Sequence, residues 1–232
     1  LWGKPLIQTV YEAASQWSRV NQVIVATDNI NIEQCVRGFD GEVVLTGPSA
    51  RTGTDRVAEV ASRIPAEVIV NIQGDELLLD SRLLGDLIDP FLESSSQMGT
   101  LRRPMTVLDN FHNPNVVKVV VDSTGNALYF SRSAIPFHRD NQNHVSTLPN
   151  YPIYEHIGVY IYRRKMLHEL AAMPMGSLEA IESLEQLRAM EAGIAIQTWE
   201  TTCQSIRIDT REDLAKAEKM APLSAITTQD SQ

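Results

Sequence analysis

Cysteine is almost missing from this chain of 232 residues: Cys35 and Cys203 are the only two, and neither has a second cysteine near it in sequence. Small disulfide-stapled folds are dense in cysteine, so that class is excluded, and both residues read as reduced thiols of a cytosolic protein. Apolar runs are short as well, and none approaches the ~18 residues that a membrane-crossing helix needs. Positive charge is scarce, with 20 Lys and Arg against 29 Asp and Glu and a formal net charge of −9. A duplex nucleic acid wants a basic footprint, so the charge argues against that partner. A free nucleotide is not excluded, because one cation and a few Lys or Arg side chains neutralise a triphosphate. The 5 histidines show no metal-ligand spacing, which argues against zinc. The dinucleotide fingerprint G-x-G-x-x-G, the phosphate loop G-x-x-x-x-G-K-S/T and the nucleophile elbow G-x-S-x-G are absent too. Any nucleotide must be held by other means.

What is present is an α/β alternation. Hydrophobic residues make up 43% of the chain, enough for a full core. Strand-like runs at Val23 to Ala26, Val43 to Leu45 and Val68 to Ile72 alternate with helix-like stretches at Ile32 to Phe39, Thr54 to Ile64 and Arg82 to Glu93. That is the pattern of βαβ units on a parallel sheet. Val116 to Val121 and Asn126 to Ser131 flank Asp122-Ser123-Thr124-Gly125 as a hairpin, which implies a mixed sheet or a smaller antiparallel subdomain. A surface loop is expected over His138 to Pro152, then a strand from Gly158 to Tyr162 and helices over Arg164 to Ala172 and Leu178 to Ala192. Strands over Ile194 to Trp199 and up to Asp209 follow, and Thr210-Arg211-Glu212-Asp213 starts a helix as a capping box. One domain over residues 1–220 and a disordered tail over 221–232 are expected. The chain begins at Leu1 and enters a helical pattern, Leu6 to Trp17, without the usual preceding strand. An incomplete amino terminus is therefore expected, and no leader segment can be judged.

The chemistry concentrates at strand ends. Asn71-Ile72-Gln73-Gly74-Asp75-Glu76 follows the apolar run Val68-Ile69-Val70, and ligands of open α/β sheets gather at the strands' carboxyl ends. Gly74 permits a sharp turn there or a close approach of backbone to ligand. Asp75 presents a carboxylate of the kind a hard divalent cation takes, and Asp209 stands in a similar setting after Ser205-Ile206-Arg207-Ile208. Two acids at two strand ends point to metal-assisted chemistry on a phosphate. The segment Ala50 to Arg56 offers backbone N–H groups and arginines for a base or anion, and Lys4 precedes the first helix where a phosphate would meet the dipole. Each also has a plain reading: a turn, a capped helix start, a solvated lysine. His156, before Ile157-Gly158-Val159-Tyr160, reads alone as a core or rim histidine, and Glu185-Gln186 as part of a solvated helix face.

Taken together and in order, these segments are more specific. Gly3-Lys4-Pro5-Leu6, Ala26-Thr27-Asp28, Thr52-Gly53-Thr54-Asp55-Arg56 and Asn71 to Glu76 are followed by Asn113-Pro114 and Val117-Lys118. Ala127 to Arg132 with Ile135-Pro136, His156 to Tyr160, Leu184 to Arg188 and Ile208-Asp209-Thr210 with Glu212-Asp213-Leu214 complete the series. In this set the chain resembles the 3-deoxy-manno-octulosonate (Kdo) cytidylyltransferases almost end to end. The resemblance implies a nucleotide-diphosphosugar-transferase type of α/β fold, with a mixed, mainly parallel sheet and helices on both faces. It also implies a magnesium-dependent homodimer that joins CTP and Kdo into CMP-Kdo for lipopolysaccharide synthesis. By that analogy Asp75 and Asp209 are metal ligands, Lys4 holds triphosphate oxygens, and Thr52 and Gly53 face the cytosine. Gln73, Arg56, His156, Tyr160, Glu185 and Gln186 are then sugar contacts. Leu77 stands where the family pattern has Pro, Thr52 where Ser is common, Arg207 where Gly is common, and Arg211 where Pro is common. Arg207 either competes with a metal for Asp209 or points away. A related acid sugar such as 8-amino-Kdo, and a nucleotide-binding relative without catalysis, are the alternatives.

Overall fold

The computed structural model describes residues 1–48, 50, 52–80, 82–105, 108–137, 139, 153–208 and 210–220. Asp209, nearly all of the expected 138–152 loop and the 221–232 tail lie outside the described residues. Two compact units divide the chain. The first takes Leu1–Ala66, Asn71–Ile88 and the chain from Cys203 onward, and the second takes Glu67–Val70 and Asp89–Thr202.

In the first unit, helix α1 (Leu6–Ser15) follows Pro5 and buries Thr9, Val10, Ala13 and Ala14, one face at helical spacing. Strands β1 (Val25–Thr27) and β2 (Val43–Leu45) pair in parallel, with helix α2 (Ile30–Arg37) as the crossover between them. The Asn29 side chain caps α2 by accepting from the Asn31 N–H at 2.8 Å. Helix α3 (Gly53–Ala61) then leads toward strand β3 (Val68–Ile72), whose burial alternates along its length. A short strand β4 (Glu76–Leu78) follows, then helix α4 (Arg82–Glu93), which begins in this unit. Strand β4 pairs antiparallel with a late strand (Ser205–Arg207, β10 in chain order), so that Leu77 faces Ile206. Helix α9 (Arg211–Glu218) has the expected capping box, Thr210 and Asp213 each accepting from the other's backbone.

Leu77, Leu79 and Ala217 form a buried cluster against which Leu1, Trp2, Leu6, Ile206 and Ile208 pack. Leu77, at the position of the family's Pro, is thus a core residue, and its full burial is worth roughly 1.5–3 kcal/mol.

The second unit holds a sheet in the order β7 (Ala127–Ser131), β6 (Lys118–Val121), β8 (Tyr154–Arg163), β5 (Met98–Pro104), β9 (Gln197–Glu200), with β3 also pairing with β8. Strand β5 runs antiparallel to β8 and parallel to β9. The expected hairpin is β6–β7. Its turn is held by the Asp122 carboxylate, which accepts from the Thr124 hydroxyl and N–H and from the Asn126 N–H at 2.8–2.9 Å. Those bonds, the Thr124 hydroxyl first, hold its pKa down at about 2. Gly125 sits at φ 86°, where other residues are strained.

Helices α5 (Leu108–His112) and α6 (Arg164–Ala172) also belong to this unit, as do α7 (Ser177–Glu182) and α8 (Gln186–Glu191). The expected single helix over Leu178 to Ala192 is broken at Ser183, which takes the left-handed conformation at φ 52°, ψ 48°. Strands β4 and β5 were not legible in the sequence. In β5, Arg102 and Arg103 mask the strand pattern, yet Arg102 Nη1 donates to Thr198 O at 2.7 Å and Arg103 pairs with Glu155.

Candidate active site

The first unit gathers the residues expected to meet the nucleotide. After β3 the chain turns, with the Glu76 N–H donating to Gln73 O at 3.0 Å, and Asp75 emerges half-buried at the turn. Gly74 has no left-handed backbone, and a Cβ there would touch Ile7 Cδ1 at an ordinary 3.4 Å. The turn therefore does not depend on its being glycine. The Ile208 N–H donates to Asp75 O at 2.9 Å, which brings the β10 strand end beside this turn. Asp209 is next in the chain but lies outside the described residues. Arg207 meets the other expected metal ligand instead: its Nε lies 3.3 Å from Asp75 Oδ2.

Thr52 caps α3, its hydroxyl accepting from the Asp55 N–H at 3.2 Å. The next residue, Gly53, lies under the Gln73 amide, where a Cβ would stand 3.0 Å from Nε2. Thr52, Gly53 and Gln73 are thus brought together at one helix start. Lys4 is engaged by Glu12 at 2.7 Å, and that hydrogen bond holds the Glu12 carboxyl below its usual range. Arg56 donates to Asp28 Oδ2 at 2.7 Å and to Thr46 Oγ1 at 2.9 Å.

In the second unit His156 and Tyr160 lie on one face of β8, ring centroids 5.4 Å apart, and Phe130 of β7 meets His156 edge-on at 4.8 Å. Enclosure of the imidazole pushes its pKa down to about 3, so it is neutral at physiological pH. His156 Nε2 is 2.9 Å from the Thr100 hydroxyl. Glu185 and Gln186 lie at the start of α8. Gln186 is buried, and its Nε2 has no hydrogen-bond partner among the described residues. A buried, unsatisfied amide is unfavourable in isolation and suits a site completed by a ligand.

The α7–α8 corner that carries these two residues is anchored twice. Glu182 accepts from the Ser131 hydroxyl at 2.6 Å and the Arg132 N–H at 3.0 Å, while Arg132 Nε donates to Glu182 O at 2.8 Å. Arg188 and Glu179 close a buried bidentate ion pair between the helices at 2.7 and 2.6 Å. Because Ser131 follows Phe130, one strand ties the His156 ring to the Glu185-Gln186 corner.

Sequence reasoning missed Thr100, Glu179, Glu182, Arg188 as an anchor, and the role of Lys118. The last is fully buried with its ammonium on the carbonyls of Asn113, Val116 and Arg132 at 2.6–2.9 Å. Burial holds its pKa below the usual lysine value. A lysine inside an apolar strand was the one available signal. Cys35 and Cys203 are not joined in a disulfide. No helix among the described residues is long and apolar enough to cross a membrane.

Among the described residues no group of three or more His, Cys, Asp or Glu side chains is placed to hold a metal. Asp75 by itself suits one: it is a hard oxygen donor at a strand end, and a cationic guanidinium already lies against its carboxylate.

The family model described as cytidylyltransferase matches residues 1–219. A 3-deoxy-manno-octulosonate cytidylyltransferase of Geobacter sulfurreducens is 49% identical over 92% of this chain and 88% of its own. Its counterpart in Trichlorobacter lovleyi is 46% identical over 94% of this chain and 89% of its own. The solved structure of a CMP:2-keto-3-deoxy-manno-octonic acid synthetase complexed with CTP matches at TM-score 0.84 and 37% identity, covering 93% of this chain and 86% of that one. An inositol-1-phosphate CTP transferase from T. maritima shares the fold at TM-score 0.62 and 14% identity. The chain belongs to the cytidylyltransferase family, and within it to the 3-deoxy-manno-octulosonate cytidylyltransferases.

Proposed function

We propose that this chain transfers the cytidylyl group of CTP to Kdo, releasing pyrophosphate and forming CMP-Kdo for lipopolysaccharide synthesis in the cytoplasm. The near end-to-end likeness to the Kdo cytidylyltransferases carries the reading. The anomeric hydroxyl of Kdo attacks the α-phosphorus of CTP, a P–O bond forms, and the bond to the bridging oxygen of pyrophosphate breaks. Lys4 exchanges Glu12 for triphosphate oxygens, which a flexible ammonium on an exposed ion pair does readily. Thr52 and Gly53 offer the start of α3 to the cytosine. Gln73, His156, Tyr160, Glu185 and Gln186 contact the sugar, the unsatisfied Gln186 amide supporting this most directly. Arg56 joins them only by giving up Asp28 or Thr46.

Asp75 and Asp209 would hold magnesium, which when bound supplies charge neutralisation at the reacting phosphoryl group and the leaving pyrophosphate. Asp75 would then part from Arg207. A homodimer is supported by apolar side chains exposed in the second unit, Leu128 at 57%, Phe137 at 74% and Ile181 at 79%.

The test is pyrophosphate release from CTP, Kdo and magnesium. Release that needs all three is expected. CTP binding without turnover would leave only the nucleotide-binding relative, and faster turnover with 8-amino-Kdo would reassign the sugar.

A further inference from the structure

The pairing of β5 with β8 skips. Thr100 lies opposite Tyr160, but the next residue, Leu101, lies opposite Ile157, so Gly158 and Val159 have no partner on β5. Bulges of this kind re-aim side chains and gather beside functional sites. Here the irregularity is filled by one hydroxyl. Thr100 is fully buried, and its Oγ1 lies 2.8 Å from Val159 O, 3.1 Å from Ile157 O and 2.9 Å from His156 Nε2.

The proton count settles the direction of these bonds. A threonine hydroxyl has one hydrogen and two lone pairs, and a peptide carbonyl only accepts. If Thr100 gave its hydrogen to His156, its oxygen would face two carbonyl oxygens with nothing between them. If it gives its hydrogen to Val159 O, with Ile157 O sharing it, a lone pair is left to receive a hydrogen from His156. Only the second arrangement satisfies all four groups, and it requires the hydrogen of the neutral ring to sit on Nε2. Nδ1 is then a bare lone pair.

We propose that Thr100 is a positioning residue that locks His156 in the Nε2–H tautomer, so that Nδ1 accepts a hydrogen bond from a hydroxyl of the acid sugar. The proposal rests on the reading of His156 as a sugar contact. It excludes the sugar carboxylate as the partner of His156, because a bare nitrogen and a carboxylate oxygen both only accept. The same choice of tautomer by a hydrogen bond to the opposite nitrogen operates wherever neutral imidazoles act as acceptors. The low pKa of the ring agrees with this, since a protonated imidazole would donate from both nitrogens. The bulge thus performs two tasks through one side chain. Its hydroxyl is shared by the Val159 and Ile157 carbonyls beside the skip, and it holds the ring that meets Phe130 and Tyr160.

The test uses the full chain with 15N-labelled histidine, the His156 signals being assigned by their loss in His156→Asn. Long-range 1H–15N correlation should show Nε2 protonated and Nδ1 unprotonated. In Thr100→Val, which keeps the shape and removes the hydroxyl, the two nitrogens should move toward an averaged tautomer. The KM for Kdo should rise roughly five- to tenfold, as for a lost neutral hydrogen bond, with the KM for CTP unchanged. Thr100→Ser should restore both readouts, and it keeps the question open to experiment if the valine variant folds poorly. A wild-type signal with Nδ1 protonated, or an unchanged tautomer in Thr100→Val, would overturn the proposal. A changed tautomer with an unchanged KM for Kdo would instead overturn the contact between His156 and the sugar, and with it that part of the proposed function.

Discussion

Replacing Arg188 by Met tests how the α7–α8 corner is held. The Arg188 and Glu179 side chains are 2% and 6% exposed, and they share two charge-assisted bonds of 2.7 and 2.6 Å. In Arg188→Met the carboxylate of Glu179 stays buried with the Gly176 N–H at 3.1 Å as its remaining donor among the described residues. Breaking a buried pair on one side costs about 3–5 kcal/mol, because an uncompensated charge is left in a poorly polarisable place. For a chain of this size each kcal/mol lowers Tm by about 2–4 °C, so a fall of about 6–20 °C is expected. Glu179→Leu should lose less, since the guanidinium keeps a second contact to Met173 O. The double variant Glu179→Leu/Arg188→Met removes both charges and should lie within about 1 kcal/mol of the wild type. Urea unfolding followed by tryptophan fluorescence and by far-ultraviolet circular dichroism measures all four proteins, and coincidence of the two probes checks that one transition is being compared. A single variant that loses less than about 1 kcal/mol, or a double variant as unstable as the sum of the singles, would refute the reasoning.

Other outcomes follow from the same geometry. Asp75→Asn and Asp209→Asn should each abolish pyrophosphate release while leaving the circular dichroism unchanged, and full activity in either would remove that residue as a metal ligand. Gly53→Ala places a methyl 3.0 Å from the Gln73 amide and should raise the KM for substrate with little loss of stability, read from steady-state kinetics beside a melting curve. His156 links stability to acid: its pKa is about 3 in the folded protein against an ordinary 6.5, so between these values the unfolded chain takes up a proton that the folded one refuses. Stability therefore falls as pH drops from about 6.5 toward 3, by at most about 1.4 kcal/mol per pH unit from this residue. His156→Gln should flatten that slope, and an unchanged slope in urea midpoints at pH 7 and pH 5 would show that the ring titrates normally.

Much of the frame is legible without coordinates because it is local. The βαβ alternation around Val43–Leu45 and Val68–Ile72, the hairpin at Asp122–Gly125 and the capping box at Thr210 all depend on residues within a few positions of one another. Backbone preference, side-chain periodicity and capping act over that range, so residue order alone carries them. Asp75 was visible for the same reason, as an acid directly after an apolar strand.

Other features were hidden. Arg102 and Arg103 disguise β5 because their partners, Thr198 and Glu155, are distant in the chain. The break at Ser183 is invisible in a helical pattern that continues through it; the anchoring of Glu182 to Ser131 and Arg132, 50 or more residues away, accompanies it. Amino-acid order by itself thus determined the class of fold, the strand ends and which acids, amides and histidine were candidates. Only the tertiary structure decided that Arg207 meets Asp75 and that the Thr100 hydroxyl, 56 residues from His156, reaches its ring. The physical reason is that a hydrogen bond depends on distance and direction, which packing sets between segments whose separation in sequence carries no information about either.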